Sequence, residues 1–599
     1  MKYQLIKPVN LKYSAIEQIL TNRGIKHEDI KHYLNTTDND IYSPLELGEK
    51  VLKEGVAVLL KAIYNNTKTL IIVDSDCDGF TSSAVLINFL YDHFPRYTLS
   101  KVEWLVHSGK QHGLKDCKDI ILEKDYSLVI CPDSSSNNFE EHKMLNEKGI
   151  DVLVLDHHKA DHISENAIVI NNQLSDYPNK QLSGVGIVWQ FCRYIDLIMK
   201  TNYAEDYVDL VALGLMADMM SMTSFETRHL ITKGFKNENI QNPFIVYIAD
   251  RNSYSLGKNI TPMGAAFYIA PFVNAIARSG TLEEKHIVFK SMLKFEASKK
   301  IPSTKRGHKE GEEEPLVLQA IRTAANVKNR QTKAQDVGMT LLEDKIEKKH
   351  LLDHKVLLFL LKPGEINSNI AGLIANKFMS KYQRPCCILT QVEDENKIFY
   401  QGSARGYEKG GVANFKNLCE SAPGVEFAEG HPNAFGLSLY LGQKGYDEEV
   451  WGESILLFLD YTDEVLKFMS SEPIYLVDYI YEGNQVKAEN ILDIASLDDL
   501  WGKDMEEPLV AVKGLTITKD MITLMSPDKK PTLKITLPNN ISLIKFNSSQ
   551  EEYEKLFSED GYVAIDLVGK CNKNEWQGYV NPQIFIEDYE IVDSSQYYF

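Results

Sequence analysis

Several classes are closed to this 599-residue chain by what it lacks. No uninterrupted apolar run is long enough to span a bilayer, and Met1 to Leu20 shows no basic region followed by an apolar core. A membrane protein and a secreted precursor are therefore not expected, and the expected location is the cytoplasm. Cysteine is scarce: eight residues, no Cys-x-x-Cys pair, and only Cys386 and Cys387 adjacent. This argues against a disulfide framework or a zinc ribbon and suits a reducing compartment. There is no internal repeat. Positive charge is also in deficit, with 65 Lys and Arg against 84 Asp and Glu, a net charge of −19. A surface that grips nucleic acid should be basic, so the overall balance looks wrong for that task.

The imbalance is local. Between Lys285 and Lys333 there are 12 basic and 5 acidic residues, whereas between Asp447 and Glu507 there are 17 acidic and 3 basic. A chain segregated this way can hold a positive channel while remaining acidic overall; both runs can equally be solvated faces. The rest is ordinary for a soluble globular protein, 44% hydrophobic and 25% charged, and the length calls for several domains.

Three short hydrophobic runs each end in acidic or imidazole groups. Thr69 to Val73 runs into Asp74, Asp76, Asp78 and Gly79; Leu128 to Cys131 runs into Pro132 and Asp133; Val152 to Leu155 runs into Asp156, His157 and His158. Each run is strand length, and amphipathic helical stretches intervene at Thr81 to His93 and Phe139 to Gly149. The pattern predicts a parallel βαβ sheet. In such a sheet, ligands gather outside the carboxyl ends of the strands, so groups distant in sequence converge. Hard oxygen ligands with one or two imidazoles and no cysteine favour manganese or magnesium over a structural zinc.

The chain divides into an N-terminal helical segment (1–45), a sheet-and-helix domain (46–293), a basic loop and connector helix (294–350), a second α/β domain (351–445), an acidic segment (446–509) and a β-rich end (510–599). The breaker-rich loop from Lys299 to Glu314 is expected to be mobile, followed by a helix from Pro315 to about Thr332. From Val510 onward, short β-rich runs alternate with turn signals, the pattern of a small barrel.

Further motifs complete the picture: Ala212-Leu-Gly-Leu-Met-Ala-Asp218, Ser183-Gly-Val-Gly186 opening a helix, and Pro271-Phe-Val-Asn-Ala-Ile-Ala-Arg278. With the three acidic strand ends, these resemble the DHH phosphoesterase superfamily and, within it, the RecJ-like exonucleases specific for single-stranded DNA. The resemblance covers most of the length. It implies an α/β protein: a parallel-sheet DHH domain and a DHH-associated α/β domain joined by a long helix, with a C-terminal OB-like β-barrel.

It also implies two divalent cations, manganese or magnesium, held by Asp76, Asp78, Asp133, His157 and Asp218, with Asp133 bridging. Asp74 and Asp156 would orient the ligands, and Asn274 would position Arg278. His158 and Arg278 would face the substrate phosphate, the guanidinium meeting phosphate oxygens bidentately. For Ser183 to Gly186 the simplest role is close helix packing.

The second α/β domain carries Gly402-Ser-Ala-Arg-Gly406 and Glu429-Gly-His431, where the family has glycine at 404 and 429. Ser403, Arg405 and His431 are its implied DNA-binding residues. In the barrel, Trp576 and Tyr579 are candidates for base stacking, or else buried core aromatics. The family's linker before the barrel is degraded to Leu500 to Pro508, the mark of a divergent member.

The expected activity is metal-dependent degradation of single-stranded DNA, processively from the 5′ end to 5′-mononucleotides, in repair, recombination or replication. Single-stranded-DNA-binding protein and other replication or repair proteins are the candidate protein partners. Two rivals share the same motifs: a phosphodiesterase of short oligonucleotides or cyclic dinucleotides, and a catalytically silent scaffold of a replication complex.

Overall fold

A computed structural model describes residues 1–109, 111–394, 397–443, 448–469, 473–526, 530–556, 561–576 and 578–592. Side chains are described for all of these but 394, 448–451, 484 and 576. The chain forms two compact units. One comprises Arg23–Asn329 with Ser496–Glu507; the other comprises Met1–Asn22, Arg330–Ala495 and Pro508–Phe599.

The first unit is built on a five-stranded parallel sheet in the order Val102–Val106, Lys68–Val73, Tyr126–Pro132, Asp151–Asp156, Ile168–Asn171. Lys68–Val73 is buried from Thr69 onward, as befits an inner strand covered on both faces. Being first in the chain but second in the sheet, it sends the chain to one side through Val102–Val106 and to the other through Tyr126–Pro132. The crevice opened by that reversal, at the carboxyl ends of Lys68–Val73 and Tyr126–Pro132, is where α/β sheets bind ligands.

The helix Cys77–His93 follows, buried at every position from Cys77 to Leu90. Side chains such as Phe80 and Phe89, fully buried, each contribute about 1.5–3 kcal/mol, so the first turn of this helix rests on a rigid body. The helix Val208–Ala217 is likewise buried from Val208 to Met216.

The second unit contains a five-stranded sheet ordered Val425–His431, Ala434–Gln443, Lys397–Arg405, Cys386–Asp394, Leu357–Leu361. One face packs on the helix Ser368–Tyr382 through Ile370, Ile374 and Phe378. A seven-stranded sheet forms the C-terminal part, from Tyr479–Glu482 at one edge to Ile522–Met525 at the other. Among the described residues these edges do not pair, so the sheet is OB-like but open. Its edge strand comes from the acidic segment, with Tyr479 beside Val510 in parallel register.

Three local expectations differ from the structure. Residues 1–45 are not purely helical: Lys2–Leu5 is a strand paired with Ile474–Val477, a partner that no local pattern reveals. The polar stretch after Lys299 holds a ribbon, Lys300–Pro302 against Glu313–Pro315. The helix behind it runs Leu316–Lys348, well past Thr332, because no proline or glycine pair interrupts it. All eight cysteines are buried and none is in a disulfide. Among the described residues, no helix is long and apolar enough to cross a membrane.

Candidate metal centre

The first unit gathers its acidic strand ends in the crevice. Asp76 caps the helix Cys77–His93, accepting from the Gly79 N–H at 3.0 Å. The turn is held from outside by Asn274 on the helix Ala270–Ser279, whose Oδ1 accepts from the Cys77 N–H at 3.1 Å. Asp78 points the other way. Its carboxylate accepts from the Ser183 hydroxyl at 3.0 Å and from the N–H groups of Gly184 at 2.8 Å and Val185 at 3.2 Å. The first turn of the helix Gly184–Met199 thus serves as an anion cradle.

Two glycines make this crowding feasible. A Cβ on Gly184 would lie 2.4 Å from Asp133 Oδ1, and one on Gly214 would lie 2.5 Å from Asp78 Oδ1. The Ser183 to Gly186 segment therefore does more than pack helices: it orients one carboxylate and makes room for another.

Asp133 takes a left-handed backbone, φ 59°, with its N–H donating to the Leu155 carbonyl at 2.8 Å. Such strain at a non-glycine residue collects at functional sites. Asp156 accepts from the N–H groups of His157 at 2.7 Å and Ser136 at 3.1 Å and from His158 Nδ1 at 2.7 Å, fixing the imidazole of His158. Ligand atoms fall into three groups, each within 4.8 Å: Asp133 with Asp156, His157 and His158; Asp78 with His157 and Asp218; Asp74 with Asp76 and Asp133.

The electrostatics follow from placing carboxylates together in a dry crevice. Burial first, then the negative charge of Asp76, pushes Asp78 up to about 7. Burial and Asp78 push Asp218 up to about 8. Burial with the surrounding aspartates raises Asp133 well above the usual range, and burial with Asp74 raises Asp76. His157 is pushed down to about 4 by burial and by His158. Burial works against charge on His158 as well, but the Asp156 carboxylate outweighs it and lifts the imidazole to about 9.

At the centre, the buried atoms Asp133 Oδ1 and His157 Nε2 have no hydrogen-bond partner among the described residues. They lie 3.3 Å apart, and His157 Nε2 is also 3.3 Å from Asp218 Oδ2. With His157 neutral these contacts are not ion pairs. Buried, mutually repelling carboxylates with a neutral imidazole and unsatisfied ligand atoms form a donor set that fits divalent cations of the manganese or magnesium type.

Arg278 lines a cavity of about 300 Å³ with Asp74, Ser75, Asp76, Gln111 and His112. Two participants were not legible as site residues from the motifs. Ser183 is one. The other is His112, whose Nδ1 contacts Asp74 Oδ2 at 2.8 Å while the Gly113 N–H donates to Asp74 Oδ1 at 3.2 Å. The signal was present: the β-rich run Val102 to Val106 also ends in imidazoles, His107 and His112.

Ser403, Arg405, His431 and Trp576 belong to the second unit. Arg405 and His431 both pair with Ala434 and so stand on one face of the sheet. The Arg405 guanidinium packs over Gly372 beside the Ser403 hydroxyl. Ala404 and Ala428 point to the opposite face and are buried in its core. Glu429 is exposed. The Trp576 side chain lies outside the described residues, and Tyr579 is 74% exposed, so it is not a core aromatic.

With this geometry in place, comparison with known proteins is direct. The model of the DHH family N-terminal domain matches residues 68–215, and that of the RecJ OB domain matches 477–588. A protein of Bacillus subtilis (strain 168), named as an SPbeta prophage-derived single-strand DNA-specific exonuclease, is 32% identical over 598 residues, covering 100% of this chain and 99% of the relative. The single-stranded-DNA-specific exonuclease RecJ of the same bacterium is 25% identical over 590 residues, covering 96% of this chain and 67% of that protein. The crystal structure of RecJ from Thermus thermophilus in complex with Mn2+ shares the fold, with a TM-score of 0.67 at 16% identity over 99% of this chain and 80% of that one. By its end-to-end similarity to a relative of this kind, the chain belongs to the DHH family, on its RecJ branch.

Proposed function

We propose that this protein is a metal-dependent exonuclease that degrades single-stranded DNA processively from the 5′ end, releasing 5′-mononucleotides in DNA repair, recombination or replication. The observation that carries the reading is the buried carboxylate cluster around the unsatisfied atoms Asp133 Oδ1 and His157 Nε2. Asp76, Asp78, Asp133, His157 and Asp218 would hold two divalent cations, with Asp133 between them. When bound, such cations polarise phosphoryl oxygens and supply a nucleophile at neutral pH.

The chain's own groups do the rest. Asp78 is oriented by Ser183 and the Gly184 and Val185 amides, so the ligand geometry is fixed before substrate arrives. His158, kept cationic by Asp156, and Arg278, beside Asp76, supply positive charge for the scissile phosphate. In the second unit, Ser403, Arg405 and His431 would hold the strand's phosphates, with Tyr579 and Trp576 offering base stacking.

The test is a single-stranded oligonucleotide labelled at either end, incubated with manganese or magnesium. Early release of the 5′ label as mononucleotide supports the reading. Early release of the 3′ label refutes the polarity, and an intact strand refutes the activity.

A further inference from the structure

The helix Pro243–Arg251 and the short helix Ser253–Leu256 carry a surface outside the centre. Phe244, Ile245 and Ile248 are buried. The outer face presents Tyr247, 41% exposed, with Arg251 one turn further on, and Tyr254 beyond it is fully exposed. Tyr247 and Arg251 line a cavity of about 260 Å³ with Lys305 from the ribbon region and Arg322 from the long helix, all within the first unit.

The charges in this cavity are unequally compensated. Arg322 donates to Glu314 Oε2 at 2.6 Å and also bonds Oε1, so that pair is internally neutral. Asp250 adds one negative charge to the lining. Arg251 and Lys305 have no ion-pair partner among the described residues. With Asp250 and the Arg322–Glu314 pair counted, the lining keeps one net positive charge, carried by two cations outside any ion pair and set beside the exposed Tyr247, on a chain of net charge −19 in which acidic partners are abundant. Exposed aromatic rings beside basic groups suit a ligand that alternates flat apolar faces with anions, which is the repeat of a single strand. A folded acidic partner would neutralise the cations but would leave the flat faces of the exposed Tyr247 and Tyr254 without a matching ligand group.

We propose that this face binds single-stranded nucleic acid away from the metal centre, with bases stacked on Tyr247 and Tyr254 and backbone phosphates on Arg251 and Lys305. The inference rests on the exonuclease reading and extends it to a second holding point on the same unit. It makes the grip on long strands stronger than the centre alone provides.

The experiment uses the full chain and a fluorescent 30-nucleotide thymidine strand, with binding read by anisotropy in EDTA and turnover of a thymidine tetramer read in manganese. Tyr247→Ala combined with Tyr254→Ala should weaken 30-mer binding roughly tenfold or more while leaving tetramer turnover unchanged. Arg251→Ala combined with Lys305→Ala should also lower the slope of log affinity against log salt by about 1.4, at ~0.7 per lost phosphate contact on a single strand. A merely structural role would not move that slope. Parental affinity and an unchanged salt slope in both double variants overturn this inference alone. Loss of poly-glutamate binding in the variants, with 30-mer affinity intact, also overturns it and assigns the face to an acidic protein. A parental chain that neither binds nor degrades the 30-mer overturns the exonuclease reading and this inference with it.

Discussion

The carboxylate cluster and the Arg405 face of the second unit are built on opposite principles. The cluster is dry, crowded and single-signed: Asp78 and Asp133 are 2% exposed, several carboxylates are pushed toward protonation, and one aspartate sits in a strained backbone. The Arg405 face is small-residue ground at the margin of the helix-covered sheet face, where the half-buried Arg405, packed over Gly372, lines up with the exposed Ala434 and His431 across three strands. One region stores unfavourable electrostatics that protons or metal cations relieve; the other offers donors to an anion that arrives later. Preorganisation for a cation costs folding stability, whereas preorganisation for a phosphate at a half-buried sheet margin costs less.

That contrast can be broken by variants that fail to separate chemistry from grip. The largest effect is expected at the cluster: Asp133→Ala should reduce turnover of labelled single strands well beyond the roughly 100-fold typical of a group that only orients a ligand, while strand binding by anisotropy stays measurable. Turnover at the parental rate would sink the cation-holding role. Next comes Ser183→Ala, which removes one of three donors to Asp78 and should cost about 10- to 100-fold in kcat or in the manganese concentration required. On the other side, Arg405→Ala should raise KM about tenfold through a lost charged contact and leave kcat near parental. A kcat defect without a KM change would erase the distinction drawn here.

The smallest effect is a pH dependence of the metal-free protein. Asp78 and Asp218 have folded values near 7 and 8, above their ordinary 3.8, and His158 has one near 9, above 6.5. Between pH 7 and 8 these groups hold more protons in the folded chain than in the unfolded chain, and stability falls as pH rises, before Lys285, lowered by burial to about 8, begins to oppose them. In EDTA, Tm should drop by a few degrees across that window. Excess manganese, by competing for the same ligands, should flatten the drop. A Tm that rises with pH over the same window in EDTA would contradict the crowded-carboxylate account.

Much of this was legible in the sequence because strand, turn and ligand are contiguous. Val73 to Asp78, Cys131 to Asp133 and Leu155 to His158 each declare both an element and its chemistry, and the switch-point rule gathers them. What stayed hidden depends on contacts between distant segments. Nothing local marks Ser183 as a donor to Asp78 across 105 positions, or pairs Lys2–Leu5 with Ile474–Val477. The strand Tyr479–Glu482 sits in an acidic stretch whose composition suggests a linker, yet it completes a sheet edge by pairing with the strand that begins at Val510. The full length of the long helix is hard to read because its buried positions at mid-length are the polar Gln331 and Gln335, which interrupt the apolar period before it resumes at Leu342 and Ile346.

Cys77 stands between two of the cluster's aspartates, sealed from solvent, with its thiol pushed upward first by burial and then by Asp76 and Asp78. Alkylating reagents attack thiolates, so this sulfur is inert while the crevice stays shut. Its rate of capture by iodoacetamide becomes a clock for transient opening of the helix start. Manganese should slow that clock, giving a readout of ion occupancy that needs no DNA and no turnover.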